Sequence, residues 1–296
     1  TLLNLVTVRY AEAPVFMAVS SVVSSYSLEG DVSLGGQFAT SGGSNSGTVG
    51  ATGRYADKPT ITYQPLIGDK FAKSLMAPIP VTGILSLIQS GYPADIVMRI
   101  CVNSINGLEN AFGGAGNTRA GDPRFHELMT AMHESQAIGG MGFRVKVVDD
   151  KQAVVMFMRP TTEQATRHGR EIGELLGLDT SEREFSVLYG SFPANDREIA
   201  VLTRSLLQVM ADLASYVDVP ATDIAEGRVS DPRRSEEQQR LFPPLIAVRQ
   251  GSSPPDDAHV AVPYRNGWFW IDDRDQRSKL MLNVLMFIFS LPEGGP

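Results

Sequence analysis

The chain has 296 residues, 43% of them hydrophobic and 20% charged, the composition of an ordinary folded protein long enough for one large or two medium domains. A formal net charge of −7 argues against a general nucleic-acid binder, which needs a basic face to displace phosphate counterions. A single cysteine, Cys101, excludes an internal disulfide and a thiolate zinc site.

The chain begins TLLNLV without an initiator Met, so processing or preceding residues are expected. Leu2 to Val8 is apolar, and APVFMAVSSVVSSY combines β-branched residues with Pro14, which predicts a mostly extended opening third. From Ser25 to Tyr55, Tyr26, Leu28, Val32, Leu34 and Phe38 alternate with small and polar residues. A Gly/Ser/Thr run follows, and alternation returns at Val49, Ala51 and Tyr55. KPTITYQPL reads as a further strand. The next segment is helical: Val81, Ile84, Leu85 and Ile88 form one stripe stopped by Gly91 and Pro93. A second stripe opens at Pro93 and runs through Ile96, Val97, Ile100 and Ile105, so Cys101 is expected as a buried structural thiol. Asp122-Pro123 predicts an N-cap and first helical position for a helix through Phe125, Leu128, Met129 and Met132.

The second half alternates. GFRVKVVDDKQAVVMFM predicts a hairpin turning at Asp149-Asp150-Lys151, and a Thr161/Gln164 capping box predicts a helix to about Leu176. EFSVLYG reads as a strand, Leu202 to Tyr216 as an amphipathic helix, and Asp218 to Pro244 as a polar excursion containing the Arg233-Arg234 and Glu236-Glu237 pairs. PLIAVRQ and HVAVPYRNGWFWID read as strands, the latter folded at Asn266-Gly267, before a helix from about Arg274 to Leu291. Its apolar run, Leu280 to Leu291, is too short as a helix to cross a bilayer core of roughly 30 Å. The order predicts an α+β fold: a β-rich segment over 1–66 with a protruding hairpin, a helical segment over 67–140, and a mixed sheet with flanking helices over 141–296.

Chemistry is sparse. GGAGNTRAG lacks the strand-to-helix context and the Lys-Ser/Thr ending of a phosphate cradle and reads as a loop. His126 and His133 stand seven apart rather than the four a zincin requires, and His168 and His259 have no local partner for nucleophilic catalysis. WFWIDDRDQRSK is the densest stretch. Trp268 and Trp270 share a strand face and, with Asp272 and Asp273, form a possible ligand site. Capping of the helix that follows is the stronger reading for Asp272, Asp273 and Asp275, and packing beneath that helix the commoner role for the tryptophans. No catalytic residue, cofactor or metal ligand is assigned.

Four blocks, LLNLVTVRYAEAPVFMAVSSVVSSYSLEG, RYADKPTITYQPLIGDKFAKSLMAPIP, ILSLIQSGYPADIVMRICVNSINGLEN and WFWIDDRDQRSKLMLNVLMFIFSL, resemble an uncharacterised family of bacterial cell-envelope proteins, predicted outer-membrane lipoproteins of unknown function. The resemblance implies a signal peptide and lipidated Cys upstream of LLNLV and an address at the periplasmic side of the outer membrane. It implies no catalytic residue. With that address, Ser25 to Tyr55 reads three ways: a hairpin on the protein's own core, a Gly/Ser loop, or a hairpin that meets a membrane or another subunit through Tyr26, Leu28, Val32, Leu34, Phe38, Val49 and Tyr55. The preferred expectation is a non-enzymatic structural or assembly subunit, self-associating or part of a larger envelope complex. The others are a ligand-binding protein or enzyme using the Trp268/Asp272 region, and an adaptor without membrane contact of its own.

Overall fold

The computed structural model describes residues 1–37, 46–66, 68–114, 118–148, 151–231 and 235–290, with strand pairing alone across 18–37 and 46–65. The fold is α+β, with ten helices, a mixed six-stranded sheet, a three-stranded sheet and a two-stranded ribbon among the described residues. Two compact units result: Val15–Gly68, and Thr1–Pro14 together with Asp69–Pro296.

The chain opens not with extended backbone but with helix α1 (Leu2–Arg9). Leu2, Leu5, Val6 and Arg9 are buried, and their spacing of three and four puts them on one helical face. The Arg9 guanidinium donates to the carbonyls of Val217 and Ser230, at 3.3 and 2.7 Å, which satisfies a buried charge-bearing group. Strands β1 (Met17–Gln37) and β2 (Ser46–Pro65) form the antiparallel ribbon. Helix α2 (Asp69–Met76) has no counterpart in the sequence reading, whereas α3 (Val81–Gln89) buries the expected Ile84, Leu85 and Ile88.

Helix α4 (Ala94–Cys101) starts after Pro93 as expected but stops four residues before Ile105. Val102 to Ile105 is instead strand β3, which turns through Asn106 and Gly107 (φ 47° and 80°) into β4 (Leu108–Glu109). An Asn-Gly pair accepts two successive positive φ values at little steric cost, so a tight hairpin outcompetes further helix. Helix α5 (Pro123–Ala137) begins as predicted: the Asp122 carboxylate accepts from the Arg124 amide at 2.9 Å. Strands β5 (Met141–Val148) and β6 (Lys151–Met158) form the expected hairpin; its Asp149-Asp150 turn lies outside the described residues.

Helix α6 (Glu163–Leu176) is capped by Thr162, one residue later than the expected Thr161, because its hydroxyl is the one that accepts from an amide, that of Ala165 at 3.1 Å. Gly177 closes it in the left-handed conformation at φ 67°. Strand β7 (Glu184–Tyr189) is as read, but Leu202 belongs to a further strand, β8 (Glu198–Thr203). Helix α7 (Leu206–Ala214) starts only after Ser205, which forms a reciprocal capping box with Gln208. The polar excursion carries short helices α8 (Ala221–Ala225) and α9 (Glu236–Leu241); Arg233 and Arg234 lie outside the described residues.

Strands β9 (Arg249–Gly251), β10 (Ala258–Tyr264) and β11 (Gly267–Asp272) make the small sheet in the order β10-β11-β9. Its hairpin turns at Arg265-Asn266, one residue before the expected Asn266-Gly267, since Tyr264 pairs with Gly267. Arg265 takes φ 51°, held there by its guanidinium over the Tyr10 ring (4.4 Å) and by Glu12 (3.1 Å). The tertiary anchor overrides the local Asn-Gly preference. Helix α10 (Gln276–Ser290) buries Met281, Val284, Leu285 and Ile288, and no described helix is long and apolar enough to cross a membrane.

The large sheet has the order β4-β3-β8-β7-β6-β5, antiparallel except for β7 beside β8. Met98, Met132 and Leu176 from α4, α5 and α6 meet Phe143, Met156, Val187 and Ile199 from the strands around a void of only about 10 Å³. The helical and mixed segments anticipated at 67–140 and 141–296 thus share one core, since β3 from the first pairs with β8 from the second.

Candidate functional site

Paired residues of an antiparallel ladder share a face, and faces alternate along each strand. The register therefore groups Tyr26, Leu28, Gly30, Val32, Leu34 and Gly36 with Asp57, Tyr55, Gly53, Ala51, Val49 and Gly47. Ser27, Glu29, Asp31, Ser33 and Gly35 form the other face with Ala56, Arg54, Thr52, Gly50 and Thr48, and Glu29 stands directly opposite Arg54. Phe38 lies outside the described residues.

Near the start of the ribbon the ladder steps from Val19↔Tyr63 to Ser21↔Thr62, leaving Ser20 as an extra residue. A bulge of this kind shifts the phase of one strand against its partner. Here it carries Met17 and Val19 onto the face of Val22, Leu28, Val32 and Leu34, which strict alternation from Val22 would deny them. As a result that face is apolar at Met17, Val19 and Val22; it is interrupted by Ser24 and Asp57, and is free of charged residues from Leu28 to Gly36 and from Gly47 to Tyr55. No described strand other than β1 and β2 joins this sheet, so every second residue of each strand turns its backbone N–H and C=O to an outer edge where they have no ladder partner.

The tryptophan region is differently built. Phe269 and Ile271, 2% and 0% exposed, are the β11 residues that enter the core, and Trp268 and Trp270 are half-buried on the opposite face. Trp270 lies across β9: a Cβ on Gly251 would come within 3.1 Å of its ring. The Asp272 carboxylate accepts from the Arg274 amide at 2.9 Å. Asp273 pairs with Lys279 at 2.8 Å, which holds its carboxyl below the usual range, and stands 3.6 Å from His259. Asp275 is the helix cap, accepting from the Ser278 amide and hydroxyl at 3.0 and 2.6 Å. Each carboxylate thus has a local partner, and the described residues contain no group of three or more His, Cys, Asp or Glu placed to hold a metal ion.

The histidines are separate. His133 faces Asp95 at 3.0 Å, whereas the His126 ring lies edge-on to Phe242, and burial lowers its pKa. His168 is buried with Glu134 and Glu171 at 3.4 and 3.6 Å. Cys101 is fully buried, which pushes its thiol up to about 12 and leaves it unreactive at neutral pH. In the glycine loop the Gly113 amide is engaged by Asp212 at 2.6 Å and that of Gly121 by Gln238 at 3.0 Å, so neither is free to cradle a phosphate.

Two arrangements were not legible in the sequence. The Arg204 side chain has no solvent exposure; its guanidinium donates to Asp212 at 2.9 Å, to the Ala111 carbonyl at 2.5 Å and to Asn103 at 3.3 Å. With its charge paired and its donors engaged, the cluster is structural, locking β8 and α7 to the loop after β4. The second is a cleft of about 300 Å³ between α6 and the ends of β6 and β7, bordered by Arg159, Arg170 and Arg183. These arginines are 11 and 13 residues apart in sequence, and no short motif connects them.

No family model matches this chain, and no curated protein or solved structure matches it.

Proposed function

We propose that this protein is a non-enzymatic structural or assembly subunit of a bacterial envelope complex, at the periplasmic side of the outer membrane, in which the β1–β2 ribbon joins copies of the chain and meets the lipid. The carrying observation is the uncharged face of that ribbon. It extends from Leu28 to Gly36 on one strand and from Gly47 to Tyr55 on the other, about nine residues each, against the roughly nine to eleven of a membrane-crossing strand. Asp57, opposite Tyr26, ends the uncharged stretch, and Tyr26 and Tyr55 stand at that boundary, where aromatic residues favour a membrane–water interface. The second face carries Glu29, Asp31 and Arg54, as a water-facing surface would.

One ribbon cannot enter hydrocarbon alone, because its edge amides and carbonyls would be desolvated without partners. Edge-to-edge pairing with further copies satisfies them, and a closed ring removes the edges altogether. A lone two-stranded hairpin is also only marginally stable in water, which favours the same association. The alternative of a ligand site or enzyme at Trp268 and Asp272 has less support, because Asp272, Asp273 and Asp275 are engaged by Arg274, Lys279 and Ser278.

The test replaces Gly30 to Thr52 with a short turn and compares both proteins in detergent by light scattering. The wild type should be a defined oligomer and the variant a folded monomer with an unchanged far-UV spectrum from its helices. A wild-type monomer, or a variant that still assembles, overturns the reading.

A further inference from the structure

We propose that the arginine-bordered cleft between α6 and the ends of β6 and β7 binds a phosphate group, independently of the ribbon. Most exposed arginines elsewhere are paired: Arg124 with Asp122, Arg144 with Glu184, Arg197 with Glu182, Arg274 with Asp257. Arg159, Arg170 and Arg183 have no ion pair or side-chain hydrogen bond among the described residues, yet all three border one cleft in a chain of net charge −7. Glu174 stands four residues after Arg170 on the same helix, a spacing that permits pairing, and the pair is not made. Glu182, the one carboxylate in the wall, is already held by Arg197 at 2.8 Å.

Three cations that border one cleft without a counter-charge of their own make its mouth attractive to an anion. A guanidinium presents paired donors that match two phosphate oxygens, and a dianion with several oxygens uses three arginines better than a single carboxylate does. The cleft also has room for more than the phosphate. Its lining includes buried Phe185, and on the helical wall Gly169 and Gly173 let α6 pack closely on Met158 and Thr180, where a Cβ would come within 3.3 and 3.1 Å. The volume of about 300 Å³ suits a phosphate carrying a small organic substituent, whether a soluble phosphomonoester or a phospholipid headgroup.

The test uses the full chain and two probes: inorganic phosphate, and vesicles of phosphatidylcholine with or without phosphatidylglycerol. The variants are Arg159→Gln, Arg170→Gln and Arg183→Gln, with Arg124→Gln as a control outside the cleft. A saturable rise in melting temperature with phosphate, beyond that from chloride at equal ionic strength and weakened tenfold or more in the cleft variants alone, supports the proposal with a soluble ligand. A gain in vesicle binding on adding phosphatidylglycerol, abolished in the same variants while binding to phosphatidylcholine alone is unchanged, supports it with a headgroup. Because the ribbon is intact in every variant, failure of ribbon-dependent assembly reads separately. If neither probe distinguishes the three cleft variants from Arg124→Gln, the proposal is overturned.

Discussion

Placing one arginine on each face of the ribbon separates a lipid-facing strand from a solvated one. Val32 is at the centre of the uncharged stretch, four positions from Leu28 and four from Gly36, and Ser33 is its neighbour on the opposite face. At about 3.3 Å per residue Val32 lies roughly 13 Å along the strand from either end, and so near the bilayer midplane if the stretch spans the hydrocarbon. A lipid-facing arginine at that depth costs about 2–4 kcal/mol, against about 0–1 kcal/mol near the interface. Val32→Arg should therefore reduce membrane partitioning by roughly 30- to 1000-fold per subunit, while Ser33→Arg, two positions from Asp31, should leave it nearly unchanged. Leu28→Arg, at the margin, should fall between. Flotation with phosphatidylethanolamine/phosphatidylglycerol liposomes reads all three. Equal partitioning of Val32→Arg and Ser33→Arg would refute the assignment of faces to lipid and water.

Three further outcomes follow from the second unit. Asp212→Ala leaves the Arg204 guanidinium buried without its counter-charge and should cost about 3–5 kcal/mol, read as a lower urea midpoint at unchanged slope; a loss under about 1 kcal/mol would show the pair to be dispensable. Asp275→Ala should cost about 0.5–2 kcal/mol through loss of the α10 cap, and Asp273→Ala distinctly less, in the same denaturation assay. His126 has its pKa lowered, by burial first and by Arg99 second, so protonation favours the unfolded chain. Its contribution to stability should be full above the unfolded value of about 6.5 and decline as pH falls through the folded value. His126→Gln should flatten that acid limb in melting curves taken between about pH 5 and 8, and an unchanged limb would count against the assignment.

The parts of this fold that were legible in the sequence are those held by neighbours along the chain. Asp122-Pro123 opens α5, the Ile84/Leu85/Ile88 stripe gives α3, and alternation from Tyr26 to Leu34 groups one ribbon face, because caps and periodic faces need only residues within a turn or two. The misreadings arose where local signals competed. Asn106-Gly107 ended a helical stripe that otherwise ran on to Ile105, and Leu202 joined β8 because β3 and β7 flank it.

What only the tertiary structure decided is which distant groups share a space. The Arg265 turn depends on Tyr10 and Glu12, about 250 residues earlier. The phase shift at Ser20 appears only once Val19 is set against Tyr63. Arg204 and Asp212 show no outward sign of burial in a sequence that surrounds them with ordinary strand and helix residues, and the arginine cleft joins three separate segments. A short-range pattern records which face of an element is apolar. The charge balance of a cleft and the pairing of a buried ion depend on chain segments brought together by folding, and so are decided only when the core closes.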